Sequence, residues 1–208
     1  MNMIRIVGIS VVLSFVVFLL GNWFGSNSSK PDIVDFWKSG RVSCLTLHNS
    51  SELAEIVRDP KLANRVREIN VIGDARGYSQ SLGKCKKLEK VCLSFTTNTS
   101  DFLKVLQPGV KSLTLAGTDF WHSPTEGKAW NADLNDILNE QFQSIANLET
   151  LEELVVGPWD ERLTTTACER LPRLKLLKKL KIEWAEPASI EKLQAALPNC
   201  RVILETEQ

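Results

Sequence analysis

The nine residues Val110-Lys-Ser-Leu-Thr-Leu-Ala-Gly-Thr118 show a spacing of apolar side chains from which the fold of this chain can be inferred. Apolar residues stand at its first, fourth and sixth places, and a small hydroxyl residue stands at the ninth. Alternation of apolar and polar residues over so few positions is typical of a β-strand with one buried face. We therefore interpret the stretch as a strand followed by a turn.

The same spacing recurs through most of the sequence. The other copies are Val42/Leu45/Leu47, Val66/Ile69/Val71, Leu88/Val91/Leu93, Leu151/Leu154/Val156, Leu177/Leu180/Ile182 and an imperfect Val202/Leu204. Successive middle residues are separated by 24, 22, 22, 41, 26 and 22 positions. A period near 20–29 residues accommodates one strand and one returning helix. The sequence predicts an α/β solenoid of about six to seven strand–helix repeats, with a parallel sheet on one face.

Helix signals follow several of the strand patterns. Ser51 is placed to cap a helix over residues 52–57, which Asp59-Pro60 ends, and Ser100 is placed to cap a helix over residues 101–106. Proline cannot continue a helix, so it marks the return to the sheet. The prolines in such places are Pro108, Pro172 and Pro198.

Two segments resemble a known repeat family. Leu193-Gln-Ala-Ala-Leu-Pro-Asn-Cys200-Arg-Val and Leu115-Ala-Gly-Thr-Asp119 are similar to divergent leucine-rich repeats of the ribonuclease-inhibitor type, and the resemblance covers residues 42–204. That family usually has Asn or Cys at the ninth place, where the side chain satisfies backbone groups of the turn. Here the place holds Ser50, Asp74, Thr96, Thr118, Trp159 and Ala185. Since Trp159 and Ala185 cannot bond the backbone in that way, we expect the carboxy-terminal turns to be less regular than the middle ones.

The gap of 41 residues indicates an insertion at about 119–147. Its first part is irregular and contains Trp121 and Trp130, and apolar residues at helical spacing then predict an unusually long return helix. Insertions in repeat proteins lie on one side of the solenoid and often bind partners. The alternative is a loop whose two indoles only cover the neighbouring turn.

The amino terminus has a different composition. From Ile6 to Phe24 nineteen residues carry no charge, which as a helix reach roughly the 30 Å of a bilayer core. Arg5 precedes this run and no basic residue follows before Lys30, so the positive-inside rule places the amino end in the cytoplasm and the repeats outside it. We interpret residues 1–24 as a transmembrane anchor. The alternatives are a signal peptide cleaved near Ser26-Asn27-Ser28, which would make the chain secreted, and a buried core helix.

Residues 25–40 are predicted to be a short linker and a capping helix, and residues 41–208 the solenoid. Ile33, Phe36 and Trp37 form one apolar helical face, which we expect to cover the first repeat, because the end of a repeat stack otherwise exposes its core. A ligand groove at this helix is the alternative.

Composition excludes several classes of protein. The 25 acidic and 25 basic residues balance, so no nucleic-acid partner is expected. The five cysteines form no Cys-x-x-Cys pair, which argues against a disulfide framework, a zinc knuckle and a thioredoxin-type site. One basic cluster occurs between residues 170 and 181, and we interpret it first as the solvated side of a helix-to-strand turn, with anionic lipid or nucleic acid as the alternative.

If the apolar markers face inward, the intervening strand residues form one exposed polar face. From that face and the insertion we predict a partner-binding site composed of Trp121, Trp130, Ser112, Thr114, Glu153, Thr46, His48, Glu68, Asn70 and Lys90. Interface hot spots are enriched in tryptophan, so the two indoles are the expected anchors. The partner is expected to be a protein.

Catalytic and metal-binding patterns are weak. His48 and His122 are the chain's two histidines, and the sequence offers His122 no third group to complete a triad with Ser123. Cys44, His48 and Cys92 share a face, but strands two apart are separated by about 10 Å, too far for one zinc ion. We expect no metal and no cofactor.

The first hypothesis for function is a membrane-tethered, non-enzymatic interaction module. The alternatives are a structural scaffold of the cell envelope and a hydrolase that uses His122 in the 119–133 insertion.

Overall fold

Seven strands form one parallel sheet in the computed structural model, which describes residues 44–117 and 132–205. They follow each other across the sheet in chain order, and all pairs are parallel. The strands are β1 (Cys44–Leu47), β2 (Glu68–Asp74), β3 (Lys90–Thr97), β4 (Ser112–Ala116), β5 (Glu153–Trp159), β6 (Lys179–Ala185) and β7 (Arg201–Leu204). The predicted strand for each apolar pattern is thus confirmed.

The middle apolar residues of the seven patterns lie side by side in one row across the sheet. The row runs Leu45, Ile69, Val91, Leu113, Leu154, Leu180 and Val202. The first six of these side chains are at most 4% exposed. Because the side-chain period of a strand is two, this single register buries the apolar set of every strand together.

Helices return the chain between strands and pack beside one another. They are α1 (Ser50–Ile56), α2 (Pro60–Ala63), α3 (Ser79–Leu82), α4 (Thr99–Val105), α5 (Ala132–Ala146), α6 (Glu161–Arg170) and α7 (Pro187–Ala196), with a 3-10 turn over Leu171–Arg173 after α6. The core between sheet and helices includes Phe102, Phe142 and Leu193, each fully buried. At 15 residues, α5 is the longest helix of the described residues, as predicted for the return from the insertion.

Two predicted helix caps are each wrong by two residues. Asn49, not Ser51, caps α1: its backbone is extended and its side-chain oxygen accepts a hydrogen bond from Glu52 N at 3.2 Å. Ser51 already lies inside the helix. Ser100 likewise lies inside α4, which follows Asn98 in a left-handed conformation with no side-chain cap bond.

The expectation of less regular carboxy-terminal turns is also wrong. Strands β5 and β6 stay paired as far as Trp159 and Ala185 without a register shift. The irregularity lies in the middle of the sheet, where the pairing of β2 with β3 shifts after Ile72 and Ser94. The Nε1–H of Trp159 donates a hydrogen bond to the Thr164 hydroxyl at 3.0 Å. This turn is therefore formed without a short polar side chain at the ninth place.

None of the helices in the described part of the chain is long and apolar enough to cross a membrane. The predicted anchor, linker and capping helix (residues 1–40) and the predicted indole anchors Trp121 and Trp130 lie outside the described residues.

Candidate interaction surface

The outward-facing side chains of the seven strands form one surface, here called the exposed sheet face. Its first row is Cys44, Glu68, Lys90, Ser112, Glu153, Lys179 and Arg201, and its second row is Thr46, Asn70, Cys92, Thr114, Val155, Lys181 and Ile203. All are at least partly exposed, whereas the apolar residues between them in β1–β6 are buried. The predicted facing of the strands is therefore confirmed.

Eight of the predicted site residues lie on or beside this face. Thr46, His48 and Lys90 are exposed, and Glu68, Asn70, Ser112, Thr114 and Glu153 are partly exposed. The structure brings most of them together in adjacent strands, with His48 at the turn that follows β1. Their predicted role in binding stays a prediction.

The best-connected charged group on the face is Glu153. Its carboxylate lies 3.1 Å from Lys181 Nζ and 3.6 Å from Lys179 Nζ. Partial burial opposes ionisation, but the hydrogen bond from Lys181 and the two positive charges outweigh it, so the pKa of Glu153 is lowered. This part of the face therefore presents ionised groups of both signs in contact with one another.

Polar groups also interact near the centre of the face. The Ser94 hydroxyl donates to Asn70 Oδ1 at 3.2 Å and lies 3.3 Å from Cys92 Sγ. Burial raises the pKa of the Cys92 thiol, and burial together with Glu68 raises that of Cys44. Both thiols therefore have little thiolate character at neutral pH, which disfavours a role as nucleophiles.

Phe95 interrupts this polar surface at the carboxyl end of β3. It is the extra residue at the register shift, because Ile72 pairs with Ser94 while Gly73 pairs with Thr96. Its backbone is left-handed, with φ of 51°, and its side chain is 76% exposed. The ring lies over Gly117, where an added Cβ would come within 2.8 Å of the ring. Such a conformation is strained for a bulky residue.

Trp184 occupies the same eighth place of its repeat as Phe95 does in β3. It is 56% exposed and pairs in register with Pro158 of β5, which is also exposed. Sequence reasoning missed both aromatic residues because it considered only the inward markers and the alternate outward positions. The eighth place of each repeat, read as a column, was the available signal.

A second ladder of charges runs along the amino-terminal ends of the strands. Glu89 bridges Arg67 at 3.6 Å and Lys111 at 3.2 Å, and Glu152 bridges Lys178 at 2.5 Å. These residues share the second place of successive patterns and alternate in sign, so this ladder is recognisable in the sequence. Exposed pairs of this kind contribute little stability singly, but their alternation disfavours a shifted register.

The basic cluster between residues 170 and 181 is largely paired. Lys178 bonds Glu152, Lys179 and Lys181 bond Glu153, and Arg170 and Arg173 donate to Gln143 Oε1 at 3.3 and 3.4 Å. These contacts agree with the interpretation of the cluster as a solvated helix-to-strand turn.

The described residues contain no group of three side chains placed to hold a metal ion. All five cysteines are described, and all are free thiols. His48 is exposed at the start of α1, and its backbone N–H donates to Glu52 at 2.7 Å. His122 lies outside the described residues.

No protein-family model matches this chain, and no curated protein matches it either.

Proposed function

We propose that the chain is a membrane-tethered, non-enzymatic protein-interaction module, built as a leucine-rich-repeat-like array and anchored through residues 6–24. Its amino end would lie in the cytoplasm and its repeats outside, or the repeats would be secreted if the apolar segment is cleaved. The seven in-register strands and their apolar spacing support the repeat assignment. The uncharged run supports the anchor.

A single observation carries the interaction role: Phe95 is a strained and exposed aromatic residue at the edge of a polar sheet face. Left-handed backbone in a bulky residue costs about 1–2 kcal/mol, and exposure of the ring adds no core burial in return. Strain of this kind clusters at functional sites. Aromatic anchors surrounded by polar groups are typical of protein interfaces.

Site-specific crosslinking tests the role directly. Phe95 would be replaced by the photoreactive p-benzoylphenylalanine in the full-length chain, expressed in its native membrane. Illumination should yield one discrete adduct with a second protein. The matched control carries the same group at Glu191, an exposed position on α7 and not on the sheet.

Equal adduct patterns from positions 95 and 191 would contradict a specific surface. Adducts formed only with another copy of the chain would favour the scaffold alternative. One feature of the fold opposes edge-to-edge stacking: Gln194 covers the outer edge of β7, donating to Cys200 O at 2.9 Å and accepting from Val202 N at 3.2 Å.

The insertion is a separate part of the proposal. Trp121 and Trp130 are expected to add apolar anchors beside Ser112, Thr114 and Glu153. The double variant Trp121→Ala with Trp130→Ala should reduce the adduct at position 95 without lowering the melting temperature. A lower melting temperature with an unchanged adduct would assign both indoles to packing.

Topology has its own test. A reporter that works only in the cytoplasm, fused after Gln208, should stay inactive if the repeats lie outside. Activity of that reporter would contradict the placement. A hydrolase screen with His122→Ala as control addresses the enzymatic alternative.

A further inference from the structure

The Trp184 indole is largely exposed to solvent and so contributes little to the buried core. It is 56% exposed, and its strand neighbour Pro158 is exposed as well. By contrast, Trp159 lies one place further along β5 and is 1% exposed. The fold can bury an indole at this end of the sheet, yet it leaves Trp184 in solvent. Tryptophan is enriched among the residues that dominate binding at protein interfaces.

Three carboxylates lie near this indole in the sequence or in the register of the sheet. Ile182 pairs with Leu204, so Glu183 in β6 and Glu205, the residue that follows β7, come directly after paired residues. Like charges in such neighbouring places repel each other. Neither carboxylate forms an ion pair with a described residue, although Lys179 and Lys181 nearby both bond Glu153. Glu186, two residues after Trp184, is exposed and adds a third negative charge.

Nearer the amino-terminal ends of β6 and β7, the charged side chains are positive. Lys179 and Lys181 of β6 and Arg201 of β7 present three positive charges, of which Glu153 offsets one. Lys181 and Glu183 are two residues apart, which in a strand is about 7 Å. A uniformly basic partner would be repelled at one end of this surface, and a uniformly acidic one at the other. The complementary ligand is an extended segment of mixed charge.

The groups around Trp184 suit a guanidinium better than a compact cation. No three ligating side chains among the described residues converge as a metal ion requires. A guanidinium is planar and long enough to stack on an indole while its N–H groups reach carboxylates at the side. An ammonium lacks both the flat stacking surface and the fork of donors.

We propose that the surface formed by Trp184, Glu183 and Glu205 binds an arginine of an extended protein segment, and that Lys181 and Arg201 bind a carboxylate about two residues away in that segment. The inference rests on the proposed function, because it names the chemistry of the partner that the sheet face would bind.

The test uses the full-length chain in a nonionic detergent and a short dye-labelled peptide of glycine and serine with one arginine and one aspartate about two residues apart. Fluorescence anisotropy should show salt-sensitive binding. Trp184→Ala should weaken it about five-fold, within the range of a cation–π contact, and Trp184→Phe should weaken it less. Glu183→Gln with Glu205→Gln should weaken binding and reduce its salt dependence. Glu191→Gln removes an exposed carboxylate on α7, away from the sheet, so it is the matched control and should leave the affinity for this peptide unchanged.

Three results would overturn the inference: no binding by the wild-type chain, equal binding by Trp184→Ala, or equal binding of a peptide in which lysine replaces arginine. The crosslinking assay separates this failure from failure of the proposed function. If the partner adduct at position 95 forms and survives Trp184→Ala, the arginine site is wrong and the interaction module stands. If no partner adduct forms at all, the proposed function itself fails.

Discussion

Strands β2 and β3 and strands β5 and β6 pair in the same parallel manner, but their carboxyl ends are constructed differently. The first pair ends in an irregular turn, with an extra residue at Phe95 and a left-handed Asn98. The second pair ends in register at Trp159 and Ala185, although neither residue offers the polar group that the family pattern uses there. Regularity of the backbone therefore does not depend on a short polar side chain at the ninth place.

The difference lies in what each turn buries. At β5 the Trp159 indole packs edge-on against Phe142, with ring centroids 5.8 Å apart, and donates to the buried Thr164 hydroxyl. At β2 the turn is held by exposed contacts from Arg76 and Asn98 to Asp74, and at β3 only two small hydroxyl side chains, Thr96 and Thr99, are buried against each other. The turn after β5 is therefore part of the core, whereas the polar groups of the turn after β2 remain accessible to a partner.

The largest expected effect of a substitution in this comparison is at Trp159. Trp159→Ala should lower the free energy of unfolding by about 3–5 kcal/mol, because it removes a fully buried ring system and leaves a cavity. Trp159→Phe should cost less, since a ring can still pack against Phe142 while the bond to Thr164 is lost. Urea unfolding of the full-length chain in nonionic detergent, followed by circular dichroism, measures both. A cost below about 1 kcal/mol for the alanine variant would refute a core role for this turn.

The next prediction tests the row of inward-facing apolar residues that both pairs of strands share. Leu113 is fully buried and Thr114, its neighbour, faces outward. Leu113→Ala should cost about 2–5 kcal/mol, whereas Thr114→Ala should change the free energy of unfolding by no more than about 0.5 kcal/mol. The same unfolding assay applies. Equal costs for the two variants would show that the facing of β4 is wrong.

The sequence was sufficient for the strands because burial and register depend on the same periodic signal. Leu45, Ile69 and Leu113 are recognisable as markers without a structure, and their alignment follows from the requirement that every strand bury the same side. The long α5 was predictable for a similar reason, since its apolar residues recur at helical spacing.

The details of the turns were not predictable in this way. Whether Asn49 or Ser51 caps α1 depends on where the backbone becomes helical, which periodicity does not specify to within two residues. The strand pattern of β3 reads as regular in sequence, so the extra residue at Phe95 appears only when β3 is paired with β2. The exposure of Phe95 and Trp184 was not predicted, because the sequence pattern does not show whether an apolar residue beside the inward-facing positions is itself buried.

Phe95 offers a smaller effect that tests the strained side of the comparison. Glycine adopts a left-handed backbone without the penalty that a Cβ imposes, so Phe95→Gly should be more stable than Phe95→Ala by about 1 kcal/mol. Both variants lose the ring, so their difference isolates the backbone. The unfolding assay above measures it, with Phe102→Ala as a control for loss of a buried ring. An alanine variant as stable as the glycine variant would show that the backbone relaxes and stores no strain.

The smallest expected effect concerns Asp74, the polar counterpart of Trp159 at the ninth place of β2. Hydrogen bonds from the side chain and then the backbone N–H of Arg76 outweigh slight desolvation, and together with Asn98 they lower the pKa of Asp74 from 3.8 to about 2. A group whose pKa is lower in the folded state stabilises that state above the unfolded pKa. The contribution of Asp74 is therefore present above pH 3.8 and is lost as the pH falls toward about 2. Because Asp74 is exposed, we expect the effect on global stability to be slight and a carboxyl NMR titration to be the sensitive measurement.

Arg76→Gln should raise the pKa of Asp74 toward its ordinary value, while Lys90→Gln, a change of the same charge on the sheet face, should leave it unchanged. If the titration of Asp74 were identical in all three chains, the contacts of Arg76 would not hold this turn in solution, and the contrast with the buried turn at Trp159 would be sharper still.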